Sequence, residues 1–238
     1  MSLRPGPGQT EWEVDTPSGV ARTSLHPVPH GRPRATLVLG HGAGRGVDSP
    51  DLVAIAEALP EVGIEVVLVE QPWRVRGQRI GGPGPTLDAA WVACLSDLRS
   101  RGVGVRRLVV GGRSAGARVA CRTSAEVRPA ALLLLAFPLW PSRRSPVREP
   151  TSRLPELVAA ARVVPTVVLQ GTRDRLGLPD EIAVGLADEQ VTARVVPIPG
   201  ADHSFTVRPG TGSDRHPGLD LVVRSARATA LRIVDGHY

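Results

Sequence analysis

No lysine occurs anywhere in the 238 residues, so every permanent side-chain cation is an arginine. A Walker-type phosphate loop, which needs a lysine, is thereby excluded. Aromatic residues make up only 3% of the chain, too few for the stacking platforms of a nucleic-acid reader, and the formal charge of +6 reads as solvated surface, with no nucleic-acid partner. The two cysteines, Cys94 and Cys121, both fall in helical patterns that would face a sheet, which predicts buried thiols and no disulfide. The longest apolar run, residues 130–137, is far too short to span a bilayer, and the N-terminus lacks the apolar core of a secretory signal. The expectation is a soluble cytoplasmic protein without a membrane partner. His26 and His30 lie in a Pro-rich loop and His216 and His237 near the C-terminus, without ligand spacing, so neither metal nor cofactor is expected.

What the chain does have is alternation. At 42% hydrophobic, with β-branched runs alternating with helix-like segments, it predicts one α/β domain over residues 10–238, behind nine Pro- and Gly-rich residues expected to be disordered. The sheet should be mostly parallel and covered on both faces, with an antiparallel hairpin at one edge around Val14 and residues 20–25. Helices are predicted over residues 51–62, 86–101, 115–125, 179–188 and 219–234.

The most informative segment is Gly112, Arg113, Ser114, Ala115, Gly116, between a strand-like run at residues 108–110 and a helix-like run. A serine at such a strand-to-helix turn is lifted above the sheet edge, and glycines two before and two after it avoid strand–helix clashes. The amide of Ala115 then lies at a helix N-terminus, where negative charge is favoured.

A serine hydroxyl needs a base, and the base an orienting carboxylate. Asp174 follows the strand-like run at residues 165–169, and His203 follows the next, at residues 191–198, so all three side chains fall at the carboxyl edge of the sheet. Glu70, ending a strand at residues 64–69, and Asp202, next to His203, are rival carboxylates. Asp174 is preferred for its order after the serine and its post-strand loop. A second oxyanion donor is expected upstream, where the strand at residues 35–39 runs into the glycine loop at residues 40–46, with the amide of Ala43 as the candidate. His41 serves that loop's geometry.

This order of glycine loop, serine elbow, post-strand acid and late histidine resembles the α/β-hydrolase superfamily, on its dienelactone-hydrolase-like side, over roughly residues 34–236. Gly111-Gly112-Arg113-Ser114, Phe137-Pro138-Leu139, Gln170-Gly171-Thr172-Arg173-Asp174 and Asp202-His203-Ser204-Phe205 resemble a branch related to a testis-expressed protein and to a subunit of a chromatin acetyltransferase complex. The resemblance implies an α/β-hydrolase fold and a serine hydrolase acting on a small acyl ester, thioester or lactone. A catalytically silent scaffold on the same fold is the alternative.

Trp73, Arg74, Leu139 and Trp140 are the expected substrate-binding residues, with Pro72 and Phe137 as further wall candidates. Residues 137–165 are the usual place of a lid, and here predict a modest cap with a short helix at residues 154–162. Two arginine clusters, Arg74, Arg76, Arg79 and Arg143, Arg144, Arg148, Arg153, follow strands toward the same edge and suit an anionic substrate.

Overall fold

The computed structural model describes residues 9–79, 81–141, 151–207 and 217–236. The hairpin strands β1 (Thr10–Thr16) and β2 (Gly19–His26) meet antiparallel through the turn at Ser18, with Val14 opposite Ala21. After them come β3 (Ala35–Gly40), β4 (Ile64–Glu70), β5 (Leu108–Arg113), β6 (Ala131–Leu135), β7 (Thr166–Gly171) and β8 (Arg194–Ile198). All eight join one sheet in the order β1-β2-β4-β3-β5-β6-β7-β8. β2 pairs antiparallel with β4, and from β4 to β8 every pairing is parallel.

Alternate residues of each central strand enter opposite cores. Leu37, Leu39, Val66 and Leu68 face one side with Leu133 and Leu135; Val38, Val67, Leu132 and Leu134 face the other. Helices must therefore cover both faces, as a buried parallel sheet requires. Helix α1 (Pro50–Ala58) and α7 (Pro217–Asp235) cover the first through Leu52, Ile55, Val222 and Ile233. The second is covered by α3 (Gly84–Ser100), α4 (Ala115–Val127), α5 (Leu154–Ala161) and α6 (Pro179–Asp188), through Trp91, Val119, Leu157 and Ile182. The hairpin is pinned to α3 by the Trp12 indole N–H, 2.8 Å from Asp97 Oδ2, and by Arg101 over the Trp12 ring.

Three expectations need revision. The helix predicted over residues 51–62 stops at Ala58, because Pro60 has no N–H to continue the ladder; a 3₁₀ turn, Pro60–Val62, follows and ends at Gly63 with φ 82°. A four-residue helix, α2 (Pro72–Val75), was not anticipated. The helix expected in a cap is instead the crossover between β6 and β7: Leu157, Val158 and Ala160 of α5 are buried, and Glu156 accepts from Arg118 and Arg122 of α4. The expected disorder of the first nine residues falls, apart from Gln9, outside the described residues, as do Arg143, Arg144, Arg148, His216 and His237. No helix among the described residues is long and apolar enough to cross a membrane.

The chain leaves β3 toward β4 on one side and later returns as β5 on the other. At such a reversal the two post-strand loops diverge and leave a crevice at the carboxyl ends. The loops beyond β3 and β5 carry the glycine segment and Ser114.

Candidate active site

Ser114 follows β5 immediately and caps α4 with φ 53° and ψ −108°, a conformation that costs a non-glycine residue energy. Its amide donates to Leu135 O of β6 at 2.9 Å, which helps to hold the strained turn. The turn is possible because backbones nearly touch beneath it. A Cβ on Gly116 would lie 2.6 Å from Gly40 O, and one on Gly112 would lie 2.6 Å from the same oxygen.

Ser114 Oγ lies 3.0 Å from His203 Nε2, and His203 Nδ1 lies 2.7 Å from Asp174 Oδ2. The carboxylate can only accept from Nδ1–H, so Nε2 is free to accept from the serine hydroxyl. Asp174, 1% exposed, also accepts at Oδ1 from the Leu176 amide (2.8 Å) and at Oδ2 from Gln170 Nε2 (2.9 Å). Gln170 Nε2 faces the backbone oxygens of Phe137 and Gly177 as well, so three acceptors surround one NH₂ and fix which way the amide points.

The rival carboxylates are engaged elsewhere. Asp202 Oδ1 accepts from the amides of Ser204 and Thr206 and shapes the turn that carries His203. Glu70 lies 3.6 Å from Arg22, and burial pushes its carboxyl above the ordinary value.

Arg113, which the sequence shows only as a member of the elbow motif, has three partners in two other segments. Its side chain is buried, with Nε 3.3 Å from Asp51 Oδ2 of α1, and Nη2 donates to His203 O at 3.0 Å and to Ser204 Oγ at 3.3 Å. His41 is buried too. The Gln71 amide donates to its Nε2 at 3.0 Å, so Nδ1 carries the proton and donates to Gly42 O at 2.9 Å. Burial lowers its pKa, in keeping with a neutral ring, and the ring centroid lies 5.3 Å from that of Trp73. These contacts moor the loop of Ala43 to the end of β4.

A narrow cavity of about 30 Å³ opens between the glycine loop and the N-terminus of α4, with Ala43, Ala115, Gly116, Trp73 and Trp91 among its walls. Of the four expected substrate-binding residues, Trp73 lines it. Arg74 stands near Gly46 and Glu70, Leu139 is buried against Gly177, and Trp140 is 36% exposed. Phe137 is fully buried in the core. Arg76 donates to Ser18 O, and Arg153 to Pro138 O and Trp140 O, so these two arginines hold loops. A larger groove of about 190 Å³ opens at the opposite, amino ends of β7 and β8, and no residue of the Ser114 site lines it. Cys94 and Cys121 are buried free thiols, and burial pushes Cys94 up to about 12. Among the described residues no cluster of His, Cys, Asp and Glu is arranged to hold a metal ion.

Solved structures share this architecture. An α/β serine hydrolase without a lid from Xanthomonas campestris is 22% identical, with 98% of this chain and 97% of that one covered and a TM-score of 0.68. The esterase Est1E from Butyrivibrio proteoclasticus is 16% identical over 94% and 99% of the chains, with a TM-score of 0.68. A dienelactone hydrolase from Anabaena variabilis is 19% identical over 94% and 97%, also at 0.68. At these identities the likeness is one of fold. No curated protein matches the chain in sequence. The family model described as an alpha/beta hydrolase domain matches residues 33–230, and the chain belongs to that family.

Proposed function

We propose that the protein is a cytoplasmic serine hydrolase that cleaves a small acyl ester, thioester or lactone, with Ser114 as nucleophile, His203 as general base and acid, and Asp174 as the orienting carboxylate. The observation that carries this reading is the unbroken hydrogen-bonded line from Asp174 through His203 to Ser114. His203 Nε2 takes the hydroxyl proton as Ser114 Oγ bonds to the acyl carbon, and Asp174 stabilises the imidazolium that forms. The oxyanion is met by the amide of Ala115, at the N-terminus of α4, and by that of Ala43. The bond to the leaving group breaks as His203 returns the proton to it. Water then attacks the acyl-enzyme through the same base, releasing the acid and restoring the serine.

Trp73, Arg74, Leu139 and Trp140 are the proposed substrate contacts, and Arg74 favours an anionic substrate. The supporting neighbours are a serine hydrolase, an esterase and a dienelactone hydrolase. Kinship with the branch of the testis-expressed protein and the acetyltransferase-complex subunit rests on the four motifs quoted above.

A fluorophosphonate probe tests the reading, since it modifies activated serines and spares ordinary ones. One adduct per chain is expected, on Ser114, absent in Ser114→Ala and much reduced in His203→Ala. A folded wild-type protein that takes no label would favour the silent scaffold.

A further inference from the structure

Gln170 lies near the end of β7, fully buried, four positions before Asp174. Its side-chain NH₂ carries two protons and faces three acceptors: Asp174 Oδ2 at 2.9 Å, Gly177 O at 2.8 Å and Phe137 O at 3.2 Å. Its Oε1 is buried without a hydrogen-bond partner. A buried acceptor left unpaired works against the fold, and bonds to two neutral carbonyl oxygens do little more than offset it. A bond to an ionised carboxylate is roughly twice as strong as one between neutral groups. Asp174 is the acceptor that best accounts for an amide at this position.

Three donors meet the Asp174 carboxylate. Oδ1 accepts from the Leu176 amide, and Oδ2 accepts from both Gln170 Nε2 and His203 Nδ1. Leu176 belongs to the same loop as Asp174, and His203 to the loop beyond β8. Gln170 alone of the three stands on a strand, in a β7 that pairs with β6 on one side and β8 on the other. A group held from a strand is placed more precisely than one held from a loop. With Gln170 in place, the carboxyl group cannot turn about its Cβ–Cγ bond without loosening hydrogen bonds at both oxygens.

We infer that Gln170 is a positioning residue for the reaction, fixing Asp174 Oδ2 against His203 Nδ1 so that Nε2 stays aimed at the Ser114 hydroxyl. The inference rests on the serine-hydrolase reading above. Gln170 acts through Asp174. The rival role is purely structural, the tying of Phe137 O and Gly177 O to β7.

A double-mutant cycle separates the two roles. Gln170→Met removes both donated protons and keeps a flexible side chain of similar length. In the presence of Asp174 it should lower kcat for a small ester, and the rate of fluorophosphonate labelling, by about tenfold or more, with KM within about twofold of wild type. In an Asp174→Ala background the group it positions is gone, so the same substitution should change the labelling rate by less than about twofold. Damage to the fold would lower the rate alike in both backgrounds, and Gln170→Leu repeats the cycle should Gln170→Met fold poorly. An equal loss with and without Asp174, a loss confined to KM, or a Gln170→Met protein as active as wild type overturns the inference and leaves the hydrolase reading standing. A folded wild-type protein that neither turns over esters nor takes the label overturns both.

Discussion

The guanidinium of Arg113 donates to the backbone oxygen of His203 at 3.0 Å, joining the residue before Ser114 to the histidine that faces the Ser114 hydroxyl. On its other side lies Asp51, at a distance and alignment of an ion pair more than of a hydrogen bond. Helix α1, strand β5 and the histidine loop therefore meet at one buried cation.

Two effects of Arg113 can be separated. Removing it alone strands a buried carboxylate, so Arg113→Met should lose about 3–5 kcal/mol of stability. Adding Asp51→Leu removes the stranded charge and should recover most of that loss. The carbonyl of His203 still lacks its donor in the double variant, and a misplacement of about 1 Å can cost on the order of a hundredfold in rate, so kcat should stay low while KM changes little. Denaturant melts and ester kinetics on both variants decide the matter. Full recovery of kcat in the double variant would reduce Arg113 to a structural role.

The elbow glycines give a second expectation. Gly116→Ala places a methyl group 2.6 Å from Gly40 O and presses α4 off β3, an overpacking that costs roughly 1–3 kcal/mol. It also displaces the Ala115 amide, so turnover should fall with stability. Gly44 lies in the neighbouring loop with nothing within 4 Å of its hypothetical Cβ, and Gly44→Ala should melt within about 0.5 kcal/mol of wild type.

Which carboxylate orients the imidazole is open to direct comparison. Asp174→Asn keeps the shape of the side chain but lets the imidazole settle in the wrong tautomer, a change that costs about 10⁴ in kcat in the trypsin-like case. Glu70→Gln alters a group that lies against Arg22, and should turn over a test ester at near the wild-type rate. Normal turnover in Asp174→Asn with collapse in Glu70→Gln would reverse the assignment.

The positions of Ser114, Asp174 and His203 were legible because each follows a strand, and the carboxyl ends of parallel strands share one edge. The two-face burial of the sheet was legible for a related reason, since runs such as Leu37-Val38-Leu39 are apolar on both faces. The partners of the arginines were not. Arg113 reaches a carbonyl 90 positions away and Arg76 one 58 positions away, and a backbone oxygen leaves no mark in the sequence. Both clusters therefore looked like surface charge facing a substrate, although Arg76 and Arg153 hold loops. Helix α5 stands at the residues expected for it, 154–161 against 154–162, but its role was misassigned, because the segment between β6 and β7 reads alike as a lid and as a crossover. Its burial against α4, with Glu156 tied to Arg118 and Arg122, decides for the crossover.

His41 ties the stability of the fold to pH. Folded, its ring is neutral: Nε2 accepts from the Gln71 amide, and burial lowers its pKa from 6.5. Unfolded, it titrates at about 6.5, so below that value the unfolded chain binds the extra proton and is favoured. The contribution is complete above the unfolded pKa and is lost as pH falls from there toward the lowered folded value, by at most about 1.4 kcal/mol per pH unit for one proton. Replacing the ring by phenylalanine removes the titration and leaves the Gln71 amide unpaired. His41→Phe should accordingly be less stable than wild type near pH 8, and the gap should narrow as pH falls toward 5, within the range where histidines exchange protons. His26 has its pKa lowered by burial as well and contributes in the same window, so the comparison is the difference between the two proteins, in which His26 cancels. Urea melts at about half-unit pH steps would measure it. A gap constant across that range would mean that His41 does not titrate on unfolding, contrary to the hydrogen bond it accepts from Gln71.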